Sequence, residues 1–148
     1  MVILKILGEG GCKLAIHVAG YTTAVPEDPY DANWLECSID VNVGRFYGAV
    51  EASLTTQDFA RLAVQLGDLL GGSSRKANFR ALEEAIIFDI ELDRAGRAKV
   101  RGQLRDIDVD GCTLGFCFDS DLSFLEPLVE GLRQVVSQFP ERLTITAN

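Results

Sequence analysis

The feature that most constrains the fold of this sequence is the alternation of apolar and charged residues between positions 88 and 101. The turn Arg94-Ala95-Gly96 divides this segment into two halves, and each half alternates with a period of two. Pairing the halves across the turn places Ile90 opposite Val100 and each acid opposite a base. The pattern predicts an antiparallel hairpin with one buried face and one solvated face. The predicted opposite-charge pairs are Asp93 with Arg97, Glu91 with Lys99, and Asp89 with Arg101.

An earlier segment predicts a second hairpin of the same kind. Apolar residues recur at every second position in 35–41 and again in 46–52, with a turn at Val43-Gly44 between them. A two-residue turn keeps both sets of apolar side chains on the same face of the sheet. This hairpin therefore also predicts a sheet that is covered on one side.

A third hairpin is predicted near the Asp110-Gly111 pair, which suits a tight turn. The turn would join a strand containing Ile107 and Val109 to a strand over residues 112–118. The apolar residues change from even to odd positions in this region, which predicts a β-bulge near Arg105-Asp106.

Two segments predict amphipathic helices that each follow a strand. Residues 59–70 and 125–136 carry apolar side chains three or four positions apart, which is the spacing of one helix face. A serine or threonine with an acid three residues later precedes each segment, as in a capping box. Gly71-Gly72 and Pro140 are typical helix stops. The predicted capping pairs are Thr55 with Asp58 and Ser123 with Glu126.

The two predicted strand-helix units are 66 positions apart, and their apolar residues align at that offset. This regularity indicates an internal strand-helix pseudo-repeat. Two amphipathic helices over one sheet can also match by chance, so duplication and coincidence both stay open.

Length and composition predict one domain over residues 1–148, because 47% hydrophobic content is enough for a sizeable core. By the arrangement of its elements, the domain is α+β. We expect a mostly antiparallel sheet of about seven strands with two amphipathic helices packed on one face.

The charge and cysteine content exclude several classes of function. A net charge of -8 argues against nucleic acid as a partner and favours a basic protein. Four isolated cysteines and one histidine predict reduced, packed thiols in the cytoplasm, with no metal site, disulfide framework or cofactor. The apolar start at Val2–Leu7 is too short for a signal peptide, and no segment is long enough to span a membrane.

The candidate catalytic groups lack recognisable partners in the sequence. His17 shares the outward position of Lys13 on its strand, and no nearby acid or thiol would make it a base. The acids of 89–93 have basic partners across their hairpin. Those of 106–110 begin a calcium-loop pattern that Cys117 cannot close, and the intervening Ile and Val indicate a strand. We therefore predict no catalytic residue and no metal ligand.

Residues 26–35 join an acidic loop to the only tryptophan of the chain, at the start of a predicted strand. Pro, Asp and Asn are typical of turns, and their side chains often bond the backbone of the loop itself. Acids around aromatic rings are also the composition of a surface that binds a basic protein. The structural and the binding roles are compatible. The candidate partner-binding residues are Glu27, Asp28, Tyr30, Asp31, Asn33 and Trp34.

The run Tyr30-Asp31-Ala32-Asn33-Trp34-Leu35 resembles a signature of the WapI-like immunity proteins. The likeness extends to the leading hairpin, to Gly20-Tyr21 before the loop, and to a late helix that runs into Phe139-Pro140. It implies a small, non-enzymatic protein of the bacterial cytoplasm that binds the nuclease domain of a contact-dependent, tRNA-cleaving toxin. The glycine- and alanine-rich middle of the chain departs from that family's pattern.

We therefore expect a protein-binding module that resembles an immunity protein. Two alternatives stay open: a carboxylate-dependent hydrolase that uses the acidic sheet face, and a carrier that holds a small molecule between helices and sheet. The sequence does not indicate the identity of the partner, the surface that binds it or the oligomeric state.

Overall fold

The computed structural model describes residues 1–143, which form eight strands and two α-helices. Single-turn 3-10 segments lie at Glu9–Gly11 and Leu122–Leu125. The predicted domain of residues 1–148 includes 144–148, which lie outside the described residues. The elements are β1 (Val2–Leu7), β2 (Lys13–Tyr21), β3 (Trp34–Val43), β4 (Phe46–Thr55), α1 (Thr56–Leu70), β5 (Lys76–Arg80), β6 (Ile86–Leu92), β7 (Arg97–Arg105), β8 (Thr113–Asp121) and α2 (Glu126–Gln138).

The strands form two antiparallel sheets, and each sheet is a simple meander followed by one helix. The first sheet has the order β1-β2-β3-β4 and the second β5-β6-β7-β8. The α+β class is confirmed, but there are eight strands in two sheets instead of about seven in one. The additional strand is β5, whose two buried side chains, Ala77 and Phe79, are too few to show alternation in the sequence. The repeated unit is four strands and a helix.

The hairpin of β6 and β7 has the predicted register. Asp89 pairs with Arg101, Ile90 with Val100, and Glu91 with Lys99, and their charged side chains lie on the solvated face. The close ion pairs, however, form with the outer neighbours of the hairpin. Lys76 of β5 lies 3.8 Å from Asp89, and Lys99 lies 3.6 Å from Asp119 of β8. The outer face of the second sheet therefore pairs acids and bases across all four strands.

The other two hairpins differ in how far they follow the prediction. In β3 and β4 the predicted hairpin is present, but its two-residue loop is Gly44-Arg45 instead of Val43-Gly44, because Val43 pairs with Phe46. Between β7 and β8 the pairing ends at Arg105 opposite Thr113, without a bulge, and residues 106–112 form the connection. The predicted strand through Ile107 and Val109 is therefore wrong. Both side chains are exposed in that connection, by 40% and 53%.

The two helices cover the edge strands of the opposite units. Helix α1 begins with the predicted capping box of Thr55 and Asp58 and packs along β5. The Gln65 side chain bonds both the N–H and the C=O of Asn78, at 2.9 and 3.0 Å, as a neighbouring strand would. Helix α2 lies along β1, and Gly131 allows this close approach, because a β-carbon there would lie 3.1 Å from the carbonyl oxygen of Ile3.

The start of the second helical segment differs from the prediction. Asp121, not Ser123, is the capping residue, because its carboxylate accepts the N–H groups of Ser123 and Phe124. A hydrogen bond from the Ser123 side chain is the main cause that lowers the pKa of the Asp121 carboxyl below its ordinary value, and the two backbone bonds act in the same direction. A 3-10 turn then leads into α2.

The core is one continuous cluster of side chains from both sheets and both helices. Phe79 links the units, because it stacks on Phe88 at 5.3 Å and lies 5.9 Å from Phe59 of α1. Of the four cysteines, only Cys37 is fully buried, while Cys12 is half-buried. The prediction of packed thiols is therefore wrong for Cys112 and Cys117, which are exposed. All four are free thiols.

Candidate functional site

We define the acidic loop as residues 22–33, which connect β2 to β3. Glu27, Asp28, Tyr30 and Asp31 are exposed on it, and Tyr30 is 74% exposed. Asp28 shapes the turn, because its carboxylate accepts the N–H of Tyr30 at 2.9 Å and its carbonyl accepts the N–H of Asp31 at 3.1 Å. The loop thus displays three acids and one aromatic ring together.

The two remaining candidate residues, Asn33 at the end of the loop and Trp34 at the start of β3, are less accessible. Asn33 is only 4% exposed, and its side-chain amide bonds both the N–H and the C=O of Arg142, at 2.6 and 3.0 Å. Its own carbonyl accepts the N–H of Thr56 at 3.0 Å. Trp34 is half-buried at the start of β3. The contacts of Asn33 are internal, so its role in the loop is structural.

The loop is held by a segment that we call the C-terminal strap, residues 139–142. The guanidinium of Arg142 donates hydrogen bonds to the carbonyls of Thr23 at 2.8 Å, Ala24 at 3.3 Å and Ala32 at 3.1 Å. It also lies 3.5 Å above the ring of Tyr21. One side chain therefore connects both ends of the acidic loop.

Tyr21 fixes the strap from the other side. A register shift between Val18 and Gly20 changes which face the end of β2 presents, and Tyr21 then packs against the strap. Its hydroxyl donates to the carbonyl of Pro140 at 2.6 Å, and its ring meets Phe139 edge-on at 5.5 Å. Partial burial raises the pKa of the Tyr21 phenol, while the charge of Arg142 opposes the rise, so the phenol stays a donor.

Sequence reasoning missed the strap. Arg142 lies 110 positions from Ala32, and no local pattern connects them. In the sequence, the only sign of the register shift near Tyr21 is the glycine at position 20. In the structure Gly20 has a φ of +157°.

A groove of about 460 Å³ lies on the outer face of the first sheet. We call it the sheet groove. Its lining comes from Met1, from β2, β3 and β4, and from two connections of the second sheet, which contribute Glu83 and Ile107. Cys37 borders the groove, but its side chain belongs to the core, where burial raises the pKa of the thiol to about 12. The polar lining residues are His17, Glu36, Ser38, Glu51, Ser53 and Glu83.

His17 has a partner that the sequence did not reveal. Its Nε2 lies 2.9 Å from Oδ1 of Asp40 on the neighbouring strand β3. Ser38 lies directly across from His17 in the same strand pair. A histidine with an acid in hydrogen-bond reach counts in favour of the enzyme alternative. The sequence did not show the pair, because the two residues are 23 positions apart.

The family whose sequence profile matches this chain is the immunity protein WapI-like family, over residues 5–140. The chain belongs to this family. The match covers the acidic loop and all of the strands except the start of β1, and it ends before Arg142. No curated protein shows a significant sequence match to the chain.

A similar fold is found in the crystal structures of Trypanosoma bruciei MRP1/MRP2. The TM-score is 0.49 at 12% sequence identity, with 92% of this chain and 83% of that chain covered. This likeness is too distant to carry an argument about function.

The acids that suggested a hydrolase are not gathered into a site. In this WapI-like protein, Asp89 and Glu91 belong to the paired face of the second sheet, and Asp106 and Asp108 lie in the β7–β8 connection. There the Asp106 carboxylate accepts the N–H of Asp108 at 3.1 Å. Within residues 1–143 no group of three acids, cysteines or histidines is placed to hold a metal ion.

The carrier alternative expected a ligand between helices and sheet. The apolar groove of this WapI-like protein instead lies between the two helices, with a volume of about 340 Å³ and with Leu66 and Leu132 in its lining. In the described part of the chain, neither helix is long and apolar enough to cross a membrane.

Proposed function

We propose that this protein is a bacterial cytoplasmic immunity protein that binds the nuclease domain of a toxin and blocks it without catalysis. The observation that carries the proposal is the ordered acidic loop, which presents Tyr30 between exposed acids. Membership of the WapI-like immunity family supports the same role.

The charge of the protein fits a nuclease as partner. A nuclease must attract the phosphate backbone of its substrate, and it does so with lysines and arginines around its active site. An inhibitor with a net charge of -8 is attracted to the same surface and competes for it. The proposed partner is therefore a basic protein domain, and nucleic acid is not a ligand.

The acids and the aromatic ring of the loop have separate roles in this proposal. Glu27 and Asp28 steer the partner, which affects association and weakens as salt increases. The exposed ring of Tyr30 is the anchor, which affects dissociation. Anchors of this type contribute about 2 kcal/mol or more, which corresponds to a change in affinity of about thirtyfold.

We predict that the two kinds of loop variant change different rate constants. Glu27→Gln with Asp28→Asn should slow association at low salt and have little effect at high salt. Tyr30→Ala should leave association nearly unchanged and speed dissociation about thirtyfold. The measurement is binding kinetics, at two salt concentrations, against the nuclease domain of the toxin encoded in the adjacent reading frame.

Matched controls separate the loop from general effects of charge and exposure. Asp68→Asn with Glu91→Gln removes two exposed acids elsewhere, and Val64→Ala trims an apolar side chain that is 66% exposed on α1. These controls should bind as the wild type does. Loop variants that melt like the wild type and bind with unchanged kinetics would place the interface elsewhere. Absence of a toxin in the adjacent frame, or of binding by the wild type, would count against the proposed function itself.

A second candidate function is a hydrolase, and the observation that favours it is the pair of Asp40 and His17, of which His17 lines the sheet groove. In that mechanism Asp40 would orient the imidazole, and His17 would take a proton from Ser38 or from water. The pair is only part of such a site, because hydrolysis of an ester or amide also needs donors that stabilise the oxyanion.

We predict that the protein shows no turnover in ester, phosphate and glycoside hydrolysis assays. Clear turnover that is lost in Asp40→Asn and retained in Asp108→Asn would establish the hydrolase instead. Both variants replace a carboxylate with an isosteric amide, so melting temperature should change little in either.

A further inference from the structure

We propose that the sheet groove continues the binding surface of the acidic loop and receives a lysine or arginine side chain of the basic partner. This inference rests on the proposed function and names a second surface for it. The outer face of the first sheet, which carries the groove, is not covered by either helix.

The three carboxylates of the groove have no ion-pair partner in the described part of the chain. Its lining contains Glu36, Glu51 and Glu83 together with His17 and the N-terminal amine of Met1, and among the described residues it contains no lysine or arginine. None of these three acids has a basic nitrogen within 4.0 Å in the described part of the chain. A partly enclosed groove with carboxylates of one sign focuses a negative potential, which a cation from outside can neutralise.

The outer face of the second sheet shows the opposite arrangement. Its acids Asp89 and Asp119 already lie within 4.0 Å of the ammonium groups of Lys76 and Lys99. The two sheets are the same size and have the same meander, so the difference is one of residue choice and not of architecture. The acids of the sheet groove, by contrast, have no lysine or arginine beside them in its lining, as far as the described residues go.

The groove also has apolar anchors at its rim. Tyr47 is 65% exposed and lines a smaller groove of about 280 Å³ that shares His17 and Ser38 with the sheet groove. Ile107, 40% exposed, lines the sheet groove itself. Aromatic and aliphatic side chains around a charged pocket are typical of protein interfaces.

The loop and the groove are adjacent along one strand. Glu36 of the groove follows Trp34 by two positions in β3, a distance of about 7 Å along the strand. The four exposed candidate residues of the loop are far fewer than the roughly twenty residues that each partner contributes to a standard interface. A partner that covers the loop therefore needs neighbouring surface, and the groove is the acidic part of it.

The test is a charge reversal in each sheet. Glu51→Lys places a cation in the sheet groove, and Glu91→Lys places one on the outer face of the second sheet, at an exposed strand position of the same kind. Against the nuclease domain of the adjacent toxin, Glu51→Lys should weaken binding at least tenfold, and Glu91→Lys should weaken it less than twofold. Glu36→Gln, a milder change, should weaken binding by a smaller factor than Glu51→Lys.

The outcomes separate the two proposals. If Tyr30→Ala weakens binding while folded Glu51→Lys and Glu36→Gln bind as the wild type does, the groove is outside the interface and this inference is wrong. If the wild type itself does not bind the toxin domain, the proposed function fails first. Equal losses in Glu51→Lys and Glu91→Lys would show a general charge effect and would also overturn the inference.

Discussion

Arg142→Ala is expected to release the acidic loop while both sheets stay folded. The guanidinium bonds three carbonyls of the loop and covers the ring of Tyr21, and alanine removes all of these contacts. Hydrogen bonds to a charged donor are worth about 1.5 to 3 kcal/mol each when buried, but the freed carbonyls will bind water. We expect the free energy of loop opening to fall by about 2 to 3 kcal/mol.

Hydrogen exchange of the backbone amides measures this opening directly. The N–H of Thr22, which donates to the carbonyl of Trp34 at 2.9 Å, reports on the loop. Its exchange should become about thirtyfold faster or more in Arg142→Ala, while amides in the centre of β3 keep their protection. A loop that is open for part of the time binds its partner more weakly in proportion to that fraction. The same variant should therefore also slow association with the toxin domain.

Two controls test whether the loop is held because the Arg142 guanidinium bonds several carbonyls at once. Arg142→Lys keeps the charge but cannot bond several carbonyls at once, so it should restore only part of the protection. Arg61→Ala removes an arginine from the surface of α1, where it pairs with Asp58, and should leave loop exchange unchanged. Loop amides that exchange at the wild-type rate in Arg142→Ala would contradict the role of the strap.

Much of the fold follows from the sequence because its determinants are local. The register of β6 and β7 follows from the alternation of apolar and charged residues on either side of a three-residue turn, and a slip of one residue would expose the core face. The capping box at Thr55 is also predictable from the sequence, because its determinants are local. The predicted start of the second helical segment was wrong because two local signals compete there. At 121–123, aspartate and serine are both good caps, and the earlier residue is used.

The site depends on long-range contacts and was less predictable. The exposure of Tyr30 follows from a turn rich in Pro and Asp, so the acidic loop was visible in the sequence. The strap was not, because the contact of Arg142 with Ala32 depends on where helix α2 ends in space. The His17 and Asp40 pair likewise depends on the register between β2 and β3.

The largest loss of stability is expected from Gly102→Ala in β7. Gly102 pairs with Phe88 on one side and with Phe116 on the other, and both aromatic residues close over it. A β-carbon at this position would overlap the carbonyl oxygen of Ile87 and would lie 2.8 Å from Cβ of Phe88 and from Cζ of Phe116. The first of these contacts is with backbone, so the strain cannot be relieved by a change of rotamer.

The expected cost is about 3 kcal/mol, the upper end for an overpacked core, which should lower the melting temperature by about 10 °C. Gly115→Ala is the matched control. It lies one register position away on β8, opposite Gln103, and a β-carbon there meets no atom within 4 Å. Thermal unfolding of both variants, followed by circular dichroism, should show a large shift for Gly102→Ala and a shift of at most about 2 °C for Gly115→Ala. If the two variants melt together, the aromatic residues move aside easily, and the close packing of Phe88 and Phe116 over β7 does not limit the stability of the second sheet.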